Sequence, residues 1–541
     1  MSYSVTNQFA WAWSITKSYR HKIALYMLLE TISIVLTLLF IYCSKQVIDV
    51  ATKMIPGNLK ILVIYLVLSI VSSIIVDLIS SWLSESIKIE LKADIQNSLA
   101  YTQMMSAWTA IKKWHTGDLL VRLNSDCSEV VQMLAYSFPF FCITCVKFLA
   151  SFGFLWVMDP MLGGLFLILL PLFAFSKIYY KKMRQLSRDV KQAESYLGTV
   201  MQENLKHKLL LRALLFTKVR WDKLLNSQTS VSLLKLNQLK FFTLTQGILK
   251  LAFNGGYLLA FVWGAYRLYT GHISYGTMTA FLQLVGQIQM PVITMIAFLP
   301  AAIRCRAAID RLMELQEEKS EVEGEELSFS SPVTLTLNNL SFSYNDNKII
   351  EHLSATFQTG VASAIVGSTG KGKTTLIRLM LALMKPDSGT LSFIASGRDY
   401  AVSVCTRANF AYVPQGNTLF TGTIRENLLL AKPLATDEQL RGALRIACAD
   451  FVYSLPMEMN TLVGESGHGL SEGQAQRIAI ARALLRDATI WVFDEPTSAL
   501  DATTTKQLMS NLLQAGRDKI LIFVTHDSQV MEACSQVVRL S

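Results

Sequence analysis

The sequence predicts a six-span α-helical membrane domain followed by an α/β domain with a phosphate-binding loop. Its 541 residues are too many for one ordinary hydrophobic core and suit two or more domains. Hydrophobic residues make up 51% of the chain and concentrate before about residue 303, in blocks long enough to cross a bilayer. Beyond that point, short β-rich runs alternate with helical stretches around the run GSTGKGKTT, which begins at Gly367.

Six apolar blocks each hold the roughly 20 residues that a membrane-spanning helix needs. They are residues 22–44, 59–83, 134–157, 161–180, 247–269 and 275–303. Buried helices of a large soluble protein are the alternative, which six such runs in one half of the chain disfavour. Before the first block, the run FAWAWSITKSYRHK combines Trp11, Trp13 and Arg20 and predicts a helix lying on the inner leaflet.

The net charge of +10 could indicate a nucleic-acid partner, but its distribution favours a membrane orientation. Lys and Arg concentrate before the first block and in the two long loops, residues 84–133 and 177–246, as the positive-inside rule requires of cytoplasmic segments. We therefore expect the N-terminus, both loops and the C-terminal half in the cytoplasm, and no nucleic acid among the partners. The expected location is a bacterial inner membrane.

The two long loops show helical periodicity with few breakers, so the spans are predicted to continue beyond the bilayer as long helices. Interruptions near residues 108–117 and 203–211 predict a short crosswise helix at each tip. These patterns assign residues 1–315 to the membrane domain. The polar, acidic stretch 316–332 is the predicted linker, and residues 333–541 form the predicted α/β domain.

The run from Gly367 fits the pattern G-x-x-x-x-G-K-[ST] and stands between the strand-like ASAIV and the helix-like TLIRLMLAL. Glycines allow the backbone to wrap phosphates, Lys373 reaches the β- and γ-phosphates of ATP, and the Thr374 hydroxyl binds Mg²⁺. Lys371 is an additional cation without an individual role. The predicted ATP-binding residues of the loop are Gly367, Ser368, Thr369, Gly370, Lys371, Gly372, Lys373, Thr374 and Thr375.

Four other strand-like runs end in side chains that suit ATP hydrolysis. IWVFDE delivers Asp494, a predicted Mg²⁺ ligand, and Glu495, the predicted general base; helix capping is the alternative for both acids. The run ILIFVTH ends in His526, predicted to contact the γ-phosphate. FAYVPQ ends in Gln415, a predicted sensor of Mg²⁺ and γ-phosphate. VTLTLNNLSFSY ends in Tyr344, which is predicted to stack on adenine, with packing at a sheet edge as the alternative.

A second anion-binding pattern, LSEGQ at residues 470–474, precedes the helix-like QRIAIARALL. The order Tyr344, GSTGKGKT, VPQ, LSEGQ, VFDEP, SALD, THD resembles the nucleotide-binding domain of an ATP-binding cassette (ABC) transporter, which makes the α/β domain a P-loop NTPase (ABC ATPase) domain. TLVGESG, TGTIRENL, HTGDLLVRLNSD and G-x-I-S-x-G resemble the exporter branch. The whole chain therefore resembles a half-transporter.

The resemblance implies that LSEGQ faces ATP held by a second subunit, with two chains paired head to tail. A homodimer is expected because one chain carries every element of a site, and a heterodimer is the alternative. Glu472 stands where the family commonly has Gly, and we expect its carboxylate to point away from the γ-phosphate. Ser466 stands where the exporter segment usually has Arg. The nucleotide-binding residues implied in this region are Ser471, Gly473, Gln474 and Asp501.

The implied function is ATP-driven export of an amphipathic cargo, such as a peptide, a lipid or a hydrophobic drug, by alternating access. The alternatives are an ATP-gated regulator or channel with little turnover, which the presence of Glu495 and His526 disfavours, and one half of a heterodimeric exporter. An importer half is disfavoured because importers commonly keep spans and cassette on separate chains. The loop tips are candidate coupling helices. Polar residues within the blocks mark a candidate cargo path, with helix packing as the alternative: Glu30, Ser69, Ser73, Asp77, Lys147, Gln246, Lys250, Asn254, Thr279, Gln283, Gln287 and Thr294.

Overall fold

The computed structural model describes residues 3–540 except 109–113, 115, 168–171, 319, 322–323, 345–346, 369 and 465–468. The chain divides into two compact units. The first unit consists of Met1–Thr102 and Thr116–Glu317, and the second of Gln103–His115 and Glu318–Ser541. The tip of the first long loop therefore belongs to the same unit as the C-terminal half of the chain.

The first unit is helical. Its described α-helices are α1 (Val5–Ile15), α2 (Arg20–Ala51), α3 (Leu59–Met104), α4 (Thr116–Val121), α5 (Cys127–Gln132), α6 (Phe138–Met158), α7 (Pro160–Leu167), α8 (Leu172–Lys206), α9 (Lys208–Ala213), α10 (Thr217–Tyr269) and α11 (Tyr275–Gln316). Two π-helical turns, Arg122–Asp126 and Met133–Ser137, join α4, α5 and α6 into one continuous helical stretch, Thr116–Met158.

Among the described residues, four helical stretches are long and apolar enough to cross a membrane: Lys17–Ala51, Leu59–Met104, Thr116–Met158 and Thr217–Tyr269. They contain the first, second, third and fifth predicted blocks. The fourth block lies partly outside the described residues and the sixth lies in α11, so the count of six spans stays a prediction. Helix α10 has 53 residues, about 80 Å at 1.5 Å per residue, whereas the hydrocarbon core is about 30 Å thick. Much of α10 must therefore lie outside the bilayer.

Ion pairs hold the C-terminal part of α11 against the stretch Thr116–Met158. The Arg311 guanidinium donates two hydrogen bonds of 2.6 Å to the carboxylate of Asp126, which is only 4% exposed. Arg122 pairs with Glu314 at 3.0 Å. Because a buried carboxylate is costly without a partner, these pairs fix the packing of the two helices.

The second unit combines strands and short helices. Its strands are β1 (Val333–Tyr344), β2 (Asn347–Gln358), β3 (Ala362–Val366), β4 (Ser388–Ala395), β5 (Arg398–Ala401), β6 (Phe410–Val413), β7 (Gly422–Thr423), β8 (Leu462–Val463), β9 (Ile490–Asp494), β10 (Ile520–Val524) and β11 (Gln536–Arg539). Its α-helices are α12 (Lys373–Met380), α13 (Ile424–Leu429), α14 (Asp437–Ile446), α15 (Glu472–Leu485), α16 (Ala502–Ala515) and α17 (Ser528–Glu532).

The strands form a five-stranded parallel sheet, ordered β11-β3-β10-β9-β6, and a four-stranded antiparallel sheet, ordered β2-β1-β4-β5. The run VTLTLNNLSFSY, expected in a mostly parallel sheet, is β1 of the antiparallel sheet. The burial pattern explains the difference. In β1 the buried Leu335 and Leu337 alternate with half-buried Thr334 and Thr336, as in a sheet with one covered face, whereas β9 and β10 are buried throughout.

The carboxyl ends of the parallel strands meet at one edge of the sheet. The register pairs Val524 at the end of β10 with Asp494 at the end of β9, and Val413 at the end of β6 with Phe493. Hydrophobic clusters cover both faces of this sheet. Side chains that follow β3, β6, β9 and β10 are therefore delivered to a common edge, where ligands of open α/β sheets bind.

Candidate nucleotide-binding site

The phosphate loop follows β3 and leads into α12, which begins at Lys373. Gly370 and Gly372 have φ of 89° and 85°, the left-handed region that favours glycine. A Cβ on Gly372 would lie 2.7 Å from the Ile349 side chain, so the loop also needs glycine for space. The Lys373 ammonium donates to the carbonyl of Gly367 at 2.6 Å, which folds the lysine over the loop. Thr369 lies outside the described residues.

Glu495 is held from both sides at the end of β9. The Gln415 side-chain amide donates to its Oε2 at 2.9 Å, and His526 Nδ1 lies 3.0 Å from its Oε1. Its backbone N–H donates to the Val524 carbonyl at 2.8 Å, and its own carbonyl accepts from Gln476 Nε2 at 2.7 Å. Glu495 has φ of 49°, so the protein pays backbone strain to aim this carboxylate.

Asp494, the neighbour of Glu495, is 5% exposed. Burial, together with the charge of Glu495, raises the pKa of this carboxyl to about 6, against the opposing effect of Lys373 and a hydrogen bond from Tyr412. Glu495 is the more accessible acid, with a side chain that is 16% exposed. The two adjacent carboxylates thus have different environments, as a metal ligand and a general base require.

Tyr344 ends β1, with its hydroxyl 3.4 Å from Met384 Sδ and 3.3 Å from the Arg378 guanidinium. That guanidinium also lies 5.3 Å from the ring centroid of Trp108, from the tip of the first long loop. Arg378 belongs to α12, the helix that follows the phosphate loop. The predicted adenine residue is therefore connected to the loop tip through one arginine. Stacking of Tyr344 on adenine stays a prediction.

LSEGQ stands at the start of α15. Ser471 is the N-cap: its hydroxyl accepts from the Gln474 N–H at 3.2 Å, and Gln474 Oε1 accepts from the Ser471 N–H at 2.9 Å. Gly473 packs so closely on the SALD stretch that an added Cβ would lie 2.5 Å from the Ala499 carbonyl oxygen. Ser471 and Glu472 are exposed in the single chain, which leaves both accessible to a second subunit.

Asp501, at the end of SALD, caps the N-terminus of α16. Its carboxylate accepts from the Thr503 and Thr504 N–H groups at 3.0 and 2.9 Å, and the Thr504 hydroxyl and N–H hold the pKa of Asp501 below its usual value. Ser466 lies outside the described residues. For the exposed Ser471 and Asp501, the assigned contacts with a partner's nucleotide remain predictions.

The structure adds two residues that sequence reasoning missed. Tyr412 hydrogen-bonds to Asp494, and Gln476 is 1% exposed and holds the Glu495 carbonyl. A signal for Tyr412 was present: it lies between the buried Ala411 and Val413 in a core strand, where a tyrosine hydroxyl needs a partner. Gln476 gave no comparable signal, because it lies on helix α15 and its partner is the backbone carbonyl of Glu495, which follows β9.

Comparison with known proteins agrees with this geometry. Residues 350–498 match a family model for the ABC transporter, and residues 23–292 match a model for the ABC transporter transmembrane region. An uncharacterized ABC transporter ATP-binding protein of Bacillus subtilis is 24% identical over 555 residues, covering 98% of this chain and 89% of that protein. An ATP-dependent lipid A-core flippase of Desulfotalea psychrophila is 26% identical over 430 residues, covering 78% and 75%.

The structure of a bacterial Atm1-family ABC exporter with ATP bound has the same fold, with a TM-score of 0.79 and 20% identity over 96% of this chain and 93% of that one. Fold and site thus define a membrane transporter driven by an ATPase domain. The chain belongs to the ABC transporter family and has the fused membrane region and ATPase domain of the exporter type. The predicted resemblance, the fold class and the ATP-hydrolysing activity are confirmed.

Proposed function

We propose that this protein is a homodimeric exporter that moves an amphipathic cargo out of the cytoplasm, driven by Mg²⁺-dependent ATP hydrolysis. One observation carries the proposal: a single chain holds Glu495 between Gln415 and His526, at the sheet edge that also carries Lys373 and Asp494. Nothing in this set of side chains has to come from a different protein. A regulator without ATPase activity would be expected to lack the general base. Because Glu495 is present, this alternative is disfavoured.

The residues at the site fit Mg²⁺-ATP. The glycine-formed loop and the Lys373 ammonium suit phosphate oxygens, and the Asp494 carboxylate, the Gln415 amide and the Thr374 hydroxyl supply the oxygen ligands that Mg²⁺ prefers. Asp494, Gln415 and Thr374 would hold a bound Mg²⁺, which would supply positive charge to stabilise the phosphate groups. An adjacent cation would offset the desolvation cost of the buried Asp494 carboxylate.

Glu495 is the group that can accept a proton. Its carboxylate is partly accessible, and a water proton would pass to one of its two carboxylate oxygens, both of which already accept hydrogen bonds. Gln415 and His526 hold the carboxylate in position through these contacts. The fixed backbone on both sides of Glu495 keeps the side chain aimed at the edge rather than into the core.

The proposed dimer would complete each site with Ser471, Gly473 and Asp501 of the other copy. Two exposed features of the single chain support it. LSEGQ presents a helix N-terminus to solvent, and the second loop tip exposes large apolar side chains on and around α9 (Lys208–Ala213), with Leu209 82% and Leu215 85% exposed. Such apolar surface is costly in water and suits docking on the partner's ATPase domain.

The proposed cargo is amphipathic, and the likeness to a relative described as a lipid A-core flippase supports that class. The orientation we propose places the N-terminus, the loop tips and the ATPase domain in the cytoplasm of a bacterial cell, in agreement with the Lys and Arg distribution. The cytoplasmic helix extensions then link ATP binding to the spans.

The test is ATP hydrolysis by the full-length protein in lipid nanodiscs. Glu495→Gln should lower turnover at least about a hundredfold, as expected for loss of a general base, while Glu472→Gln, the matched control on an exposed acid, should stay near wild type. Stimulation by one class among peptide, lipid and drug panels would name the cargo class. Equal, negligible rates for wild type and Glu495→Gln would contradict the homodimer and indicate a missing partner subunit or a regulatory role.

A further inference from the structure

Three charged side chains, one from each of three apolar helical stretches, come together in the first unit. Glu30 lies on α2, Asp77 on α3 and Lys147 on α6, and each of these stretches is long and apolar enough to cross a membrane. The Lys147 ammonium is within electrostatic reach of both carboxylates. Ionisable groups inside a membrane domain are costly and usually belong to a functional site.

Hydroxyl groups hold the two carboxylates in a crossed pair between α2 and α3. Ser33 Oγ of α2 donates to Asp77 Oδ1 of α3 at 2.6 Å, and Ser80 Oγ of α3 donates to Glu30 Oε1 of α2. Ser80 is fully buried and Ser33 is 9% exposed. The reciprocal bonds show a built arrangement, since each acid is fixed by the helix that it faces.

The charges of this cluster do not balance. Two carboxylates and one ammonium leave one net negative charge, and Asp77 is exposed on the surface of the single chain while Lys147 is half-buried. Glu85 and Lys88, which both lie near Tyr136, pair with each other at 2.5 Å and change nothing in this sum. Lys147 interacts more strongly with Asp77 than with Glu30, so the net negative charge belongs to the cluster as a whole and not to one acid alone.

Aromatic rings stand on one side of the acids. Tyr26, one helical turn before Glu30 on α2, is 2% exposed, and the half-buried Tyr136 is also within electrostatic reach of Glu30. Aromatic faces attract cations, above all those without strong hydration. The Lys88 ammonium already lies 5.1 Å from the centroid of the Tyr136 ring, so the preference for a cation over an anion rests on the net negative charge of the cluster. The apolar stretches around it favour a bulky, weakly hydrated cation.

We propose that Glu30, Asp77 and Lys147 form a binding site for the positive group of the cargo, which we assign to the class of lipophilic monocations. This inference rests on the proposed export function and specifies its substrate class. Lys147 neutralises one carboxylate and the cargo neutralises the other, so that the occupied site carries no net charge in a medium where charge is expensive. A lipophilic anion would instead double the net charge.

Tetraphenylphosphonium and tetraphenylborate test this directly, because they share shape and apolar surface and differ in the sign of their charge. Equilibrium binding of each labelled ion is measured to the full-length protein in phosphatidylcholine nanodiscs without nucleotide, and binding to empty nanodiscs is subtracted. We expect saturable binding of the phosphonium and no saturable binding of the borate. Equal saturable binding of both ions, or of neither, would overturn the proposal.

Three variants give the charge dependence. Asp77→Asn should weaken phosphonium binding about tenfold or more, and Lys147→Met, which removes the competing cation, should strengthen it. Asp118→Asn, which removes an exposed carboxylate outside the predicted apolar block 134–157, should leave it unchanged. An unchanged affinity in Asp77→Asn would overturn the site. So would a loss in Lys147→Met equal to that in Asp77→Asn, which would mean that the cluster only supports helix packing.

The binding test and the export test can fail separately. Glu495→Gln should bind the phosphonium like the wild-type protein because binding here needs no hydrolysis. Phosphonium binding without ATP-dependent transport would support the cation site and contradict the proposed export function. Turnover stimulated by neutral or anionic lipids, with no phosphonium binding, would leave the exporter standing and overturn the cation site.

Discussion

Replacing Asp494 by Asn should stabilise the protein in the absence of nucleotide and remove its stabilisation by Mg²⁺-ATP. The carboxyl is 5% exposed, and burial raises its pKa from 3.8 to about 6. A difference of about two pH units between the unfolded and folded states corresponds to about 3 kcal/mol at most. Asn keeps an oxygen that can accept from Tyr412, so the hydrogen bond need not be lost with the charge.

The sign of the pH dependence follows from the raised pKa. Below about pH 4 the carboxyl is protonated in both states and carries no penalty. Between about pH 4 and pH 6 the unfolded state loses its proton first, so stability falls as pH rises, and above that range the full penalty is present. The gain from Asp494→Asn should therefore be largest at pH 8 and clearly smaller at pH 5.

Thermal unfolding of the full-length protein in nanodiscs, followed by tryptophan fluorescence, measures this gain. For a unit of this size, about 3 kcal/mol corresponds to a rise in Tm of about 5–10 °C. Asp501→Asn is the control, because hydrogen bonds lower the pKa of that exposed acid and its charge should not oppose folding at pH 8. A lower Tm for Asp494→Asn at pH 8, or the same gain at both pH values, would refute the reasoning.

Three further changes have expected outcomes. Arg311→Met leaves the buried carboxylate of Asp126 unpaired and should cost about 2 kcal/mol in thermal unfolding, the partial exposure of Arg311 having been discounted; adding Asp126→Asn should restore most of the loss. Gly473→Ala places a Cβ 2.5 Å from a backbone oxygen and should lower ATPase activity at least about tenfold, whereas Gly442→Ala, which has open space, should not. Ser471→Arg should abolish turnover, while Glu472→Gly should change it only modestly; a collapse in Glu472→Gly would show that the carboxylate acts at the interface.

The motifs that contain Gln415, Glu495 and His526 predicted a common edge because each one follows a strand of the same parallel sheet. Asp494, Glu495 and His526 follow strands that neighbour each other, and a buried run that ends in a polar residue is readable without a structure. Contacts that depend on strand order or on helix packing could not be predicted from the sequence. The Tyr412 hydrogen bond needs β6 beside β9, and the Gln476 contact needs α15 packed on the end of β9.

The membrane half shows the same division. Apolar length predicted four of the helical stretches, because transfer into a bilayer depends on composition more than on partners. The crossed bonds of Ser33 and Ser80 with two acids depend on which faces of α2 and α3 meet. Polar residues at helical spacing in the sequence gave candidates for the cargo path. Which of these side chains meet depends on how the helices pack on one another.

The tip of the first long loop is tied to the ATPase domain of its own chain. Met105 accepts from the Glu321 N–H at 2.8 Å, and Arg407 pairs with Glu321 at 2.7 Å, so the tip is tied to the segment that precedes β1. Trp108 also shares the Arg378 guanidinium with Tyr344. Any shift of α12 or Tyr344 on nucleotide binding must therefore change the surroundings of Trp108. The first tip is held by its own ATPase domain, whereas Leu209 and Leu215 at the second tip are exposed in the single chain, which fits the docking role proposed for that tip above.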